Sequence, residues 1–408
     1  MIVRTIALLG HKDHGKSTLI GSMLMQTGSA TQVRINEAKA YSEKLHKPFE
    51  PAFILDSFSE EREQEMTYDT TRAQIKYKDF AFSFIDVPGH EELIKNMISG
   101  ASYGEIAVLL VSAKDDEGIR DQTKRHLFIA RMLGISRLVV AVNKMDSVDY
   151  EEGIFNSIRD SLGKFISRIG FEERDVRFVP VSAYNGENLV KKSEKLAWYD
   201  GNSLIDSIYG IFADASGAGR ESALRMVIQG AIDTDGNIIA GRVISGRLKE
   251  GDSVDILPNG HNAKVKEIIV KGRRVNSADM GENAAITLDS KAGFELRGAV
   301  ISGIDDRPNV VDSVTARIFV TGAIGKKLHA KFNGVDIGCN GVDVIDVIDT
   351  TTGKKTRGKE PVVLNAIDAV VRFDRKLPVE EYSTTRELGR FVLYSGGGFA
   401  GIGTITKI

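Results

Sequence analysis

Residues 10 to 17 read Gly10-His11-Lys12-Asp13-His14-Gly15-Lys16-Ser17, directly after the apolar run Ile6-Ala7-Leu8-Leu9. This spacing matches the phosphate-loop pattern G-x-x-x-x-G-K-[ST], placed where a first strand should hand over to a helix. Glycines let successive backbone N–H groups turn toward a polyphosphate. Lys16 can neutralise its charge, and the Ser17 hydroxyl can hold Mg2+. Leu19, Ile20, Met23 and Leu24 then fall on one helical face, so a helix N-terminus should also point at the anion.

Four further segments follow in the order a guanine-nucleotide switch requires. Asp86-Val87-Pro88-Gly89-His90 comes after the apolar strand Phe80 to Ile85. An Asp at a strand end can reach Mg2+ through water, and Gly89 frees a backbone N–H to sense a γ-phosphate. Asn143-Lys144-Met145-Asp146 ends the strand Leu138 to Val142. Its Asp146 carboxylate suits the N1–H and 2-amino donors of guanine, a pair that adenine lacks, so ATP would leave Asp146 unpaired. Ser182-Ala183 closes the strand Phe178 to Val181, where a backbone N–H could reach the guanine oxygen. Thr67, between the loop and Asp86, is placed to complete the metal shell. An ordinary strand-to-loop turn explains any one of these segments; it does not explain the ordered set.

The elements that must position them alternate. Strands are expected at Thr5–Leu9, Phe80–Ile85, Ile106–Ser112, Leu138–Asn143 and Phe178–Ser182, with helices at Glu91–Ala101 and Asp121–Gly134. Continuous apolar strands joined by helices predict a doubly wound, mostly parallel α/β sheet of the P-loop GTPase kind, with its ligand at the strand carboxyl ends. Asp214 to Gly219 reads as a linker. Beyond Leu224 short β-rich runs recur: Arg225–Ile232, Ile238–Ser245, Ser253–Leu257, Lys264–Val270 and Ala284–Leu288. Turns such as Asp235-Gly236 and Asn259-Gly260 separate them. A second boundary is expected at Asp305-Asp306-Arg307-Pro308-Asn309. The division is thus a nucleotide domain at 1–213 and two small β-barrels at 220–305 and 310–408. Neither barrel holds a recognisable catalytic constellation.

Composition sets bounds on this scheme. At 408 residues the chain is long for one core, and its 42% hydrophobic and 27% charged residues describe a soluble globular protein. No apolar run approaches the ~20 residues of a membrane span. The segment before the phosphate loop is too short for a secretory signal, and the lone Cys339 suits a reducing compartment, so a cytoplasmic location is expected. A net charge of −2 argues against indiscriminate nucleic-acid binding while allowing a local basic surface.

Gly10-His11-x-Asp13-His14-Gly15-Lys16-Ser17-Thr18, Glu61-Arg62-Glu63-x-x-x-Thr67, Asp86-x-Pro88-Gly89-His90 and Asn143-Lys144-Met145-Asp146 resemble the translation-factor GTPases. The branch is that of archaeal and eukaryotic elongation factor 1-alpha, supported by Lys95 to Ala101, Trp198-Tyr199-Asp200-Gly201, Gly241-Arg242-Val243 and Leu388-Gly389-Arg390-Phe391. The resemblance spans essentially the whole chain, densely in the nucleotide domain and thinly in the barrels. It implies Mg2+-dependent hydrolysis of GTP to GDP. The loop Gly10, His11, Lys12, Asp13, His14, Gly15, Lys16, Ser17 and Thr18 would hold phosphates. Ser17, Thr67 and Asp86 would serve the metal, and Asn143, Lys144 and Asp146, with Ser182 and Ala183, the guanine. His90 would orient the attacking water, with Gly89 beside the γ-phosphate.

Three features depart from that pattern: Lys12 where a Val is usual, Gln64-Glu65-Met66-Thr67 in the first switch, and a slightly enlarged loop at Asp115–Gly118. The implied partners are a tRNA or the ribosome, with an exchange factor left open and no membrane. Lys264, Lys266, Lys271, Arg273 and Arg274 are available to RNA phosphates, and a solvated strand face explains them equally well. Two alternatives stand beside the elongation-factor reading. The compact third domain is also similar to the GTP-binding subunit of bacterial sulfate adenylyltransferase, whose partner is a sulfurylase catalytic subunit. A GTP-binding adapter with low intrinsic hydrolysis would follow from the altered switch.

Overall fold

Strands β1 (Ile2–Gly10), β4 (Ile106–Ser112) and β5 (Arg137–Asn143) bury consecutive side chains along their central residues, which places them in a sheet covered on both faces. The computed structural model describes residues 2–44, 46, 48–55, 72–86, 106–114, 119–215, 222–231, 238–291, 295–325, 327–358 and 360–408, without the side chains of Lys12, Arg72, Asp86, Asp214 and Ala215. With β2 (Arg72–Tyr77), β3 (Phe80–Asp86) and β6 (Val176–Pro180), the sheet order is β2-β3-β1-β4-β5-β6. Only β2 runs antiparallel to its neighbour; the other pairs are parallel.

Helices α1 (Lys16–Gln26), α2 (Gln32–Lys44), α3 (Asp121–Met132), α4 (Glu152–Arg168) and α5 (Leu204–Ala215) belong to the same unit. On one face of the sheet, Ile6, Leu8, Val108 and Leu110 pack with Leu19 and Met23 of α1 and with Leu204, Ile205 and Ile208 of α5. Alternate strand residues, Ala7, Leu9, Leu109 and Val140, are buried on the other face.

Several boundaries differ from those expected. β1 starts at Ile2, not Thr5, because its pairing with β3 begins at Ile2 opposite Phe80. β6 stops at Pro180, and Ser182 instead forms an isolated bridge with Glu187. α3 ends two residues early, where Gly134 turns into the left-handed region at φ +84°. The expected helix Glu91–Ala101, the loop Asp115–Gly118 and the turn Asp235-Gly236 lie outside the described residues, as does most of the Asp214–Gly219 linker.

By compactness the chain divides into Met1–Ala218 with Thr351–Gly353, and Gly219–Thr350 with Lys354–Ile408. The second unit holds two antiparallel barrels. The first comprises β7 (Arg225–Ala231), β8 (Ile238–Ser245), β10 (Ser253–Leu257), β11 (His261–Val270), β14 (Asn283–Leu288) and β15 (Val300–Gly303), closed by the β10–β11 pairing. Short strands β9 (Arg247–Lys249), β12 (Arg273–Val275) and β13 (Ser277–Asp279) flank it. The second comprises β16 (Asn309–Val320), β17 (Leu328–Phe332), β18 (Val335–Ile348), β20 (Ala366–Val379), β21 (Arg390–Ser395) and β22 (Gly398–Lys407), closed by β17–β18, with β19 (Lys355–Arg357) on its edge. Strict alternation explains the closure: in β17, Leu328, Ala330 and Phe332 point inward while His329 and Lys331 face out. Each barrel has its own apolar core. Among the described residues no helix is long and apolar enough to cross a membrane.

Candidate functional site

The chain leaves β1 at Gly10 and makes a single 3₁₀ turn over Lys12–His14 before α1 begins at Lys16. Two glycines make that path feasible. Gly10 has φ +145°, and a Cβ there would stand 2.8 Å from the Leu110 carbonyl oxygen. Gly15 has φ +87°, and a Cβ there would stand 2.7 Å from Asn143 Nδ2. A side chain at either position would fill the space the loop needs, as expected where backbone must approach an anion closely.

Lys16 is buried, and its Nζ donates to the Gly10 carbonyl at 2.9 Å and the His11 carbonyl at 3.3 Å. Its ammonium is thereby drawn back across the loop instead of extending into solvent. The first helical bond of α1 runs from Leu19 N to Gly15 O. The N–H groups of Ser17 and Thr18 therefore precede the ladder at the positive end of the helix. Ser17 is exposed at this end. Asp86 sits at the carboxyl end of β3 opposite Leu8 of β1, so the backbone brings it to the same edge of the sheet. A hydroxyl beside a helix N-terminus and a carboxylate on that edge are the hard oxygen donors that Mg2+ takes. Thr67, Gly89 and His90 lie outside the described residues, as do the side chains of Lys12 and Asp86.

Two histidines of the loop face the protein. His14 is fully buried, with Nδ1 3.0 Å from the Leu110 carbonyl, which can only accept, so Nδ1 carries the proton. Its backbone N–H is bonded to His11 O at 3.2 Å. His11 places Nδ1 3.5 Å from Asp13 N and Nε2 3.3 Å from Arg120. Their rings shape the loop.

The base-side residues meet across three strand ends. Asn143 donates from Nδ2 to the His14 carbonyl at 2.8 Å and accepts from Ala183 N at Oδ1, also at 2.8 Å. It therefore ties the phosphate loop to the Ser182 loop. Ser22 of α1 adds a bond from Oγ to Ala183 O at 2.5 Å. The N–H groups of Ser182 and Ala183 are both engaged inside the protein, with Glu187 O and Asn143 Oδ1. The Ser182–Glu187 bridge and Asn143 thereby close the loop. The next N–H in the turn is that of Tyr184.

Asp146 lies in the 3₁₀ turn Met145–Val148, entered through Lys144 at φ +64°. Its Oδ1 is buried and has no hydrogen-bond partner among the described residues. An acceptor left this way costs free energy unless a ligand supplies the donor.

The family model described as the elongation factor Tu GTP binding domain matches residues 1–231 of the 408. The chain belongs to this family of GTP-binding proteins. A second model, the GTP-eEF1A C-terminal domain-like family, matches residues 314–406. Elongation factor 1-alpha of Desulfurococcus mucosus is 34% identical over 422 residues, covering 99% of this chain and 96% of that protein. Elongation factor 1-alpha of Sulfurisphaera tokodaii is 35% identical over 422 residues with the same coverage. A solved structure of sup35 complexed with GDP aligns over the whole chain at 23% identity and a TM-score of 0.43. The chain is thus a GTPase of the translation-elongation kind, and the sulfate adenylyltransferase alternative is not favoured.

Proposed function

We propose that this chain is a Mg2+-dependent GTP switch that acts in the cytoplasm with aminoacyl-tRNA and the ribosome. The observation that carries the guanine preference is the buried Oδ1 of Asp146, which has no donor among the described residues and lies in a turn entered through left-handed Lys144. In this reading Lys16 and the N–H groups of Gly15, Ser17 and Thr18 hold the phosphates. Ser17, Asp86 and Thr67 would hold Mg2+, which would offset the negative charge of the phosphates. Asp146 takes two guanine donors, Tyr184 offers its N–H to the guanine oxygen, and His90 orients water at the γ-phosphate. Residues 1–213 form the switch, and the barrels at 220–305 and 310–408 form the surface that meets RNA. The relatives named above support the tRNA and ribosome partners.

The test is protection of an aminoacyl ester. The GTP-loaded chain should slow hydrolysis of aminoacyl-tRNA and the GDP-loaded chain should not, with protection weakening as salt rises. Equal hydrolysis in both states would remove the carrier reading. Co-purification of a sulfurylase catalytic subunit in that case would restore the alternative.

A further inference from the structure

Three non-glycine residues around Asp146 occupy the left-handed region: Lys144 at φ +64°, Asp149 at φ +49° and Tyr150 at φ +57°. Side chains disfavour that backbone, and it persists only where the surroundings over-determine it. Part of the constraint is local. Tyr150 N donates to Met145 O at 2.8 Å, Ser147 N to Lys144 O at 2.9 Å and Glu151 N to Val148 O at 3.1 Å. These bonds close the turn on itself and leave the Tyr150 carbonyl pointing out of it.

That carbonyl is taken by a residue 48 positions away: the Trp198 indole donates from Nε1 at 2.9 Å. Indole has this one donor and no acceptor, so the bond has a single direction and a narrow geometry. Trp198 is half-buried and seated by two neighbours. Its ring centroid lies 5.4 Å from that of Phe155 on α4 and 6.2 Å from that of Tyr199. Tyr199 is anchored in turn, its hydroxyl donating to Phe178 O at 2.9 Å, and burial pushes its pKa up to about 12, so it stays a neutral donor. The Tyr150 side chain is held from the opposite loop, where Asn185 Nδ2 reaches its hydroxyl at 3.3 Å and the Lys195 ammonium lies 5.3 Å from its ring centroid.

We infer that Trp198 is a positioning residue for nucleotide retention: its indole N–H fixes the Tyr150 carbonyl and thereby the turn that presents Asp146. This rests on the guanine role proposed for Asp146. Trp198 touches no reacting atom in this scheme. Its loss should let the Met145–Tyr150 segment relax, which opens the base side and leaves the phosphate side unchanged. The effect belongs in the dissociation rate of nucleotide and not in the hydrolysis step of protein already loaded.

The experiment displaces a fluorescent GDP analogue from the full chain. Trp198→Phe keeps an aromatic ring against Phe155 and removes only the donor. It should release the analogue about tenfold faster, the loss of one hydrogen bond to a constrained carbonyl. Single-turnover hydrolysis of bound GTP should stay near the wild-type rate. Phe155→Leu thins the seat and keeps the donor, so it should lower the Tm while release stays near wild type. A packing role alone would give the opposite split, with release following the Tm in both variants, and would overturn the proposal. Trp198 is the chain's only tryptophan, so its emission reports the surroundings of this indole alone. Wild-type emission should differ between GDP-bound and nucleotide-free protein. If Trp198→Phe does not fold, unchanged wild-type emission overturns the proposal, and a change supports it. A wild-type chain that binds neither GDP nor GTP removes the guanine site itself. Tight wild-type binding with unaltered release from Trp198→Phe removes only the Trp198 role.

Discussion

A buried carboxylate oxygen without a donor is costly, and Asp146 carries one that has no donor among the described residues, in a turn flanked by three left-handed residues. Guanine offers two donors at the spacing of a carboxylate. Asp146→Asn replaces one acceptor with a donor, so one guanine hydrogen then faces another. GDP affinity should fall about a hundredfold, since a hydrogen bond to a charged group is lost and a donor clash is introduced. Xanthosine diphosphate, whose 2-oxo group needs a donor, should bind the variant better than GDP. Calorimetric titration decides it; a variant that keeps wild-type GDP affinity would remove Asp146 from the base site. Asn143-Lys144-Met145-Asp146 singles out Asp146 as a candidate because it ends an apolar strand, and strand carboxyl ends are where such sheets bind. The contacts of its neighbours could not be read that way. Whether Asn143 faces ligand or protein depends on His14 and Ala183, which sit far from it in sequence. The engaged N–H groups of Ser182 and Ala183 depend on how one loop closes, and no local pattern encodes that.

Among elements, the β2–β3 hairpin joins the stretch carrying Thr67 to the stretch carrying Gly89, and its far tip is pinned to α5. Lys78 turns the hairpin at φ +52°, and its Nζ pairs with Asp206 Oδ1 at 3.0 Å. Tyr77 donates to the same oxygen at 2.8 Å, and Ser203 donates to Oδ2 at 3.0 Å. The Lys78 ammonium also lies 4.3 Å from the Tyr209 ring centroid. Burial alone would raise the Asp206 carboxyl, yet donors from Lys78, Tyr77 and Ser203 hold it below its ordinary value of 3.8. A depressed carboxyl contributes stability that is present above the unfolded pKa and lost as pH falls through the folded one. Asp206→Asn should therefore destabilise the nucleotide domain near neutral pH by about 1 kcal/mol or less, because both partners are partly exposed. The difference from wild type should shrink below about pH 4. Thermal melts across that window check it, and a gap that stays constant in acid would show that the carboxylate charge is not what holds the tip. Strands β4 and β5 could be read in advance because their apolar runs leave no alternative to a two-sided core. β2 escaped notice because Gln74 and Lys76 alternate with Ala73 and Ile75, and a polar edge strand gives a weak signal. The clamp on α5 escaped because Asp206 looks like any first-turn helix carboxylate.

Across the molecule's second unit, a buried guanidinium and the apolar cluster of Ile244, Val300 and Leu388 join two barrels that each have a core of their own. Arg225 is 2% exposed and uses every N–H it has. Nε and Nη2 donate to Glu380 Oε1 at 3.0 and 2.5 Å. Nη1 serves the carbonyls of Leu224 and Asp306 at 2.8 Å each, and Nη2 also reaches Asp306 Oδ1 at 3.1 Å. Glu380 follows β20 of the second barrel, Arg225 opens β7 of the first, and Asp306 lies in the segment between them. Two barrels could be anticipated from the texture of the chain after Leu224 and the break at Asp305–Asn309, since turn-rich short strands allow little else. The fastening could not, because its partners are 155 residues apart and each sits beside a strand where a charged residue usually faces water. Removing one member of such a pair leaves the other buried without compensation. Arg225→Ala should cost the second unit about 3–5 kcal/mol, far more than a surface pair. Arg225→Lys should recover only part, because an ammonium cannot match five donors held in a planar fork. Replacing both charges, Arg225→Met with Glu380→Leu, should cost less than Arg225→Ala alone, since no ion is then stranded. Hydrogen exchange at β7 and β20 of the full chain reads the result without requiring the whole molecule to unfold in one step. Unchanged protection of both strands in Arg225→Ala would mean that the apolar contact of Ile244 and Val300 with Leu388 holds the barrels together without the guanidinium.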